Sequence, residues 1–309
     1  MLRTLAQRIA GRGLVIGIPY TWLLVFFLLP FFILAYISFV DMGADIHPFK
    51  PLWDPQTGVL SLKYENYTSI FQSEDTGALF QTLYVEAYVR SIWYAFCTAT
   101  LCLLIGYPFA YFIARSKPSV RPALLMMVML PFWTSFLLRV YAWKGILADQ
   151  GMVNQILMAV GITSEPIQML YTNVSMLVGM TYVYLPFMVL PLYANLVKMD
   201  FRLLEAAYDL GATPLRAFWL VTVPLSRAGI IAGFMLVFIP GLGEFVIPSL
   251  LGGPENIMIG RVVWDEMFAS NNWPRASALA VAMIGFIIVP LAIYYHYTGE
   301  ARPENGKAG

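Results

Sequence analysis

The sequence predicts an all-α membrane protein with six transmembrane helices and both termini in the cytoplasm. Hydrophobic residues fill 59% of the 309 positions and charged residues only 12%, and the mean hydropathy is +0.69. A water-soluble fold has too little polar surface to cover such a chain. The apolar residues gather in six runs, each read as long enough for a helix to cross a bilayer, which takes about 20 residues. These runs are continuous, whereas the strands of a membrane barrel alternate over about 10 residues, and a helix satisfies its backbone within its own segment.

In chain order, residues 1–12 place Leu2, Leu5 and Ile9 at helical spacing among Arg3, Arg8 and Arg12. That pattern fits a cytoplasmic helix lying in the membrane interface, or else a basic tail. The first run, Gly13 to Val40, carries no charge. It exceeds a signal-peptide core and no small-residue cleavage site follows it, so it is expected to stay as an anchor. The second run spans Ser91 to Ala114 and holds Cys97 and Cys102. Those two face directions about 140° apart on a 3.6-residue repeat, which suits packing and not a disulfide or metal pair. The third run goes from Pro122 to Leu138, the fourth from Pro166 to Val197, the fifth from near Ala228 to Leu251, and the sixth from Ala276 to Tyr297. A membrane domain of residues 13–299 is thus followed by a short cytoplasmic tail, 300–309. Outside the membrane, residues 41–90 form a long loop in which Trp53, Tyr64, Tyr67 and Tyr84 alternate with acids. It reads as an ordered cap with short helices that would contact a soluble binding protein, or as a solvated loop anchored by interface aromatics. Gly151 to Val160 reads as a short amphipathic helix.

Lys and Arg favour cytoplasmic loops. With the N-terminus inside, Arg3, Arg8, Arg12, Arg115, Lys117, Arg121, Lys198, Arg202, Arg216, Arg227, Arg302 and Lys307 are cytoplasmic, twelve of the 19 basic residues. The inverted topology fails this test. The segment 198–227 therefore faces the cytoplasm.

Within that segment Glu205-Ala206-Ala207 is followed after three residues by Gly211, and after nine more by Val221-Thr222-Val223-Pro224. The pattern predicts a short helix with a small outer surface, a turn at Gly211 with positive φ, and a second helix capped by Thr213 and started by Pro214. This segment resembles the Glu-Ala-Ala loop of ABC importer permeases, with Val221 and Val223 where the family usually has Ile and Leu. Leu130-Pro131-Phe132-Trp133-Thr134-Ser135, Gly243-Glu244-Phe245-Val246-Ile247-Pro248 and Ile257-Met258-Ile259-Gly260-Arg261-Val262 are similar to the putrescine and spermidine permeases of that family, and most of all to its first-permease branch for putrescine. The resemblance runs from about Pro19 to Tyr294. It implies a type I importer fold in a bacterial inner membrane and a heterodimer with a second homologous permease. It also implies two cytoplasmic ATPase subunits that bind ATP and Mg, and a periplasmic polyamine-binding protein. Glu205 would then anchor the coupling helix, Ala206 and Ala207 would form its close-contact face, and Gly211 its turn.

No phosphate-binding loop of the Gly-x-x-x-x-Gly-Lys-[Ser/Thr] type occurs, and His47 and His296 have no second ligand at useful spacing. The chain is expected to carry no catalytic residues, no metal and no cofactor of its own, and to bind no nucleic acid. Glu244 stands about 16 residues into the fifth run, on the order of 24 Å from its cytoplasmic end. An ionised carboxylate at that depth needs a partner or water. One reading gives it a diammonium cargo, with Trp133, Tyr141 and Tyr184 as cation–π surfaces; the other pairs it with Arg139. Pro240, Gly241 and Gly243 predict a break beside it. Gly229 and Gly233 stand at small-x-x-x-small spacing, which suits close packing within the chain or across a dimer. Two other functions stay open at this point: an ABC permease for a different small solute, and a self-sufficient secondary transporter that uses Glu244 and Arg139 for ion coupling.

Overall fold

The computed structural model describes residues 15–43, 48–53, 61–72 and 83–299, with side chains as far as residue 288. The expected interfacial segment 1–12, the tail 300–309, His47 and much of the outer loop lie outside the described residues. Among the described residues no β-strand forms, and Met42 and Phe49 make an isolated bridge.

The helices are α1 (Val15–Ser38), α2 (Glu65–Phe71), α3 (Leu83–Arg115), α4 (Arg121–Trp133), α5 (Phe136–Ile146), α6 (Met152–Ala159), α7 (Asn173–Leu196), α8 (Arg202–Asp209), α9 (Pro214–Leu242), α10 (Val246–Leu251), α11 (Ile259–Trp264) and α12 (Trp273–Gly299). By length and composition α1, α3, α7 and α9 can each cross a membrane, and α4 with α5 makes a fifth candidate if the bent pair is one span. The sixth run lies on α12, whose described apolar part, Trp273–Ile288, is shorter than a full span.

The chain forms two compact units, Met1–Val85 with Val263–Gly309, and Glu86–Val262. In the first, α1 and α2 both pack on α12. Asn66 ties α2 to the end of α1 by donating to the carbonyls of Ser38 and Val40, each at 3.0 Å. Most of the α1 surface is exposed: only 11% of its apolar window is buried, against 56% for α7. An exposed apolar helix suits lipid, and a buried one makes the core.

In the second unit α7 is that core. Thr172 caps it through a reciprocal pair with Ser175, as the box of cap and third residue requires. Met176, Met180, Met188, Leu192 and Leu196 on α7 are fully buried. The main partner of α7 is α9, and the approach is close. A Cβ on Gly229 would fall 2.7 Å from Cβ of Asn195, and one on Gly233 would fall 2.7 Å from Sδ of Met188. The small-residue pair therefore packs inside the chain. Cys102 is buried and Cys97 partly so, both as free thiols.

Two predicted spans change shape. The fifth helix starts at Pro214 and not near Ala228. Pro224 lacks an N–H, and the helix widens into a π-turn over Phe218–Thr222 ahead of it instead of stopping. The third span is not one helix: α4 and α5 meet at 86°. Leu130–Trp133 tightens to a 3-10 turn around Pro131. Thr134 then extends and donates its hydroxyl to the Pro131 carbonyl at 2.8 Å. A local side-chain bond of this kind offers the backbone an alternative to continuing the helix.

Candidate functional sites

The segment 198–227 is built as its spacing predicts. Helix α8 buries Leu204 and exposes Glu205 and Ala206, with Ala207 half-buried. Its end is a Schellman motif: the N–H of Gly211 reaches the Tyr208 carbonyl at 2.9 Å and that of Ala212 reaches Ala207 at 2.9 Å. Gly211 has φ +82°, and a Cβ there would touch nothing within 4 Å. Its freedom is thus needed for backbone conformation and not for space. Thr213 then caps α9 by accepting from the Arg216 N–H. At the start of the loop Asp200 takes a bidentate bond from Arg202, 2.8 Å at its shorter arm. The Arg202 hydrogen bonds hold the Asp200 carboxyl below the usual carboxylate range.

The residues flanking α8 fasten it to the membrane domain. Phe201 and Phe218 each stand edge-on to Tyr111 of α3, with centroids 6.5 Å apart. Phe218 also meets Tyr107 at 5.4 Å, whose hydroxyl bonds Ser226 at 2.8 Å. Arg115 lies over Tyr111 and Phe201. These ring contacts join the segment that carries α8 to α3 and α9. This aromatic base was missed in the sequence, where Tyr111 stands 90 positions from Phe201 and 107 from Phe218.

The second site lies at the break after α9. Pro240 and Gly241 remain helical; α9 ends at Leu242, and Gly243 to Phe245 form the break. Glu244 therefore stands past the helix end and not within it. Its Oε1 accepts from the N–H groups of Phe245, Val246 and Ile247 at 3.2, 3.0 and 3.4 Å, capping α10. Its Oε2 accepts from the Tyr184 hydroxyl at 2.6 Å. The carboxylate is 9% exposed and is compensated by a helix N-terminus and a charge-assisted bond. The sequence brought Tyr184 into consideration as a cation–π surface; the structure places it on Glu244 as a hydrogen-bond donor.

Arg139 makes no ion pair with Glu244 in this structure. It sits on α5, beyond the break, with its guanidinium 4.8 Å over the Phe132 ring. The rings of Phe132 and Phe187 are 5.2 Å apart, and those of Phe187 and Tyr184 6.2 Å. Arg139 and Glu244 are thus connected through a series of three aromatic side chains. The pairing expected of Arg139 fails here because the backbone turns away at Thr134, and the N-terminus of α10 occupies the carboxylate. Trp133 and Tyr141 are largely exposed, at 75% and 53%, and are not brought to Glu244 by any hydrogen bond or ring contact that the structure shows.

The pattern of the family described as binding-protein-dependent transport system inner membrane component matches residues 103–299. The chain is 37% identical over 285 residues to the spermidine/putrescine transport system permease protein PotB of Haemophilus influenzae, covering 92% of this chain and 93% of that protein. It is 37% identical over 226 residues to PotB of Escherichia coli, covering 73% and 82%. Its fold is similar to a chain in the crystal structure of a bacterial ABC transporter involved in import of the acidic polysaccharide alginate. There the TM-score is 0.62 at 18% identity, over 97% of this chain and all of that one.

Proposed function

The chain belongs to the family of binding-protein-dependent transport inner membrane components, and from that premise we propose that it is a permease subunit moving putrescine and spermidine into the cytoplasm by alternating access. The supporting relatives are the PotB proteins, and the observation that carries the reading is the exposed, Schellman-ended helix α8. It offers Glu205 and Ala206 to a separate protein while its aromatic base grips α3 and α9. A secondary transporter that works alone has no use for such a surface.

The assembly we infer is a heterodimer with a second homologous permease in a bacterial inner membrane. Two cytoplasmic ATPase subunits hold ATP and Mg, and a periplasmic protein delivers the polyamine. In this reading six segments cross the membrane, with α4 and α5 as one bent crossing, and both termini are cytoplasmic. A loaded binding protein docks outside, ATP closes the ATPases on α8, and the closure passes through Phe201 and Phe218 to the spans. Nothing is done chemically to the cargo. An anionic cargo suits a pathway with a buried carboxylate poorly.

The test is reconstitution of the complete transporter in proteoliposomes, with uptake of labelled putrescine, spermidine and sulfate measured against ATP hydrolysis. ATP-dependent uptake of the two polyamines and not of sulfate is expected. Uptake that persists without ATPase subunits would overturn the ABC assignment, and uptake of sulfate alone would overturn the cargo.

A further inference from the structure

Among the described residues Arg139 and Glu244 are the buried charged side chains, 8% and 9% exposed. Their situations are opposite. Glu244 accepts four hydrogen bonds. The Nε and Nη1 atoms of Arg139 are buried and have no hydrogen-bond partner, and Phe132 supplies only a ring face. Idle donors on a buried cation are costly, more so than on a neutral group. Such a group calls for an explanation, and a second conformation that satisfies it supplies one.

An acceptor lies beside a neighbouring helix. Helix α5, which carries Arg139, packs on α10, whose first turn Glu244 caps. Both nitrogens are shielded from outside, so an acceptor from within the chain needs less rearrangement than one from a lipid or a second subunit. The element that would move is also defined: α5 follows the Thr134–Ser135 break, where the helix axis turns by 86°, and Glu244 occupies the break between α9 and α10. Arg139 lies four residues beyond the first break, and Glu244 lies in the second.

We propose that Arg139 is a positioning residue for transport, the alternate counter-ion of Glu244. At one stage of the cycle the carboxylate is held by Tyr184 and the α10 N-terminus, as here. At another, rotation of α5 about Thr134–Ser135 lets it accept from Nε and Nη1 of Arg139. A diammonium cargo reaches the carboxylate only in passage between these two arrangements, when neither set of donors holds it, and the cargo part of this inference rests on the polyamine reading above.

A double-mutant cycle in the reconstituted transporter tests it, using Arg139→Gln, Glu244→Gln, the double variant and Arg139→Lys. The readouts are kcat and KM for putrescine uptake, ATP turnover, and the amount of assembled complex. Each Gln variant is expected to lower turnover per assembled complex about tenfold, and the double variant is expected to be no worse than the poorer single, as for two residues in one interaction. Arg139→Gln should leave KM unchanged, and Arg139→Lys should recover part of the turnover. Effects that multiply to about a hundredfold in the double variant would overturn the proposal. So would a raised KM in Arg139→Gln, or a loss of complex with full turnover in what remains. If the wild-type transporter carries no polyamine, the cargo reading has failed; the same cycle on ATP turnover still decides whether the two residues are coupled.

Discussion

Glu205 and Glu244 are the same residue type on one chain, 39 positions apart in sequence, and they do opposite things. Glu205 stands exposed on α8, one turn before a Schellman end. Glu244 is buried and closed off by one hydroxyl and three backbone N–H groups. The first carboxylate stands on the exposed surface of α8, and the second organises its own chain. The contrast shows that a Glu in a conspicuous motif and a Glu in an apolar run call for different tests. For the exposed one the informative measurement is coupling to a partner, and for the buried one it is the stability of the chain.

The contrast breaks most easily at Glu244. Glu244→Ala removes the acceptor for Tyr184 and for the first turn of α10, leaving buried donors idle at a cost of about 2–3 kcal/mol. Thermal unfolding of the purified complex should report it as a lower midpoint. An unchanged midpoint would mean that the carboxylate does not organise the chain. Tyr184→Phe sharpens the same point by deleting one bond to a charged acceptor, worth about 2 kcal/mol, in a side chain whose ring packing is kept.

The exposed half of the comparison is probed at Gly211. Gly211→Val places a β-branched residue at φ +82°, a strain of about 1–2 kcal/mol. If α8 must keep its end to engage an ATPase, uptake should fall about tenfold, while insertion and the unfolding midpoint of the permease pair change little. Gly211→Asn, better suited to positive φ, should fall between Val and wild type. Wild-type uptake in Gly211→Val would remove α8 from the coupling path.

The smallest effect is expected at Asp200. Its carboxyl is held low by Arg202, so any stabilisation is present above its unfolded pKa and lost as pH falls through the lowered folded value. Both partners are exposed, at 85% for Arg202 and 48% for Asp200, and exposed pairs contribute little. Asp200→Asn should leave the unfolding midpoint at neutral pH unchanged within error. A clear drop would show that the loop depends on this pair and not on its aromatic base.

The sequence was most legible where the deciding contacts are local. Gly211 in positive φ, Thr213 and Pro214 at the start of α9, the helix over residues 152–159 and the cores of the apolar runs all follow from residues within about four positions of one another. Helix ends fared worse where a proline had two possible outcomes. Pro131 contributes to the end of α4, yet Pro186, Pro191 and Pro240 lie inside their helices. Neighbouring helices can stabilise a kinked turn in one place and not in another, and no local pattern records which.

By itself, then, the sequence determined an all-helical membrane chain and the turn that ends α8, because hydropathy, capping and backbone strain are properties of short segments. Only the tertiary structure decided who meets Glu244. Tyr184 lies 60 positions away, and Arg139 is turned aside by a break whose 86° angle no composition predicts. It also decided that Gly229 and Gly233 serve packing within the chain, against Asn195 and Met188. A partner distant in sequence is chosen by how helices cross, and that choice is made by the packing of whole faces.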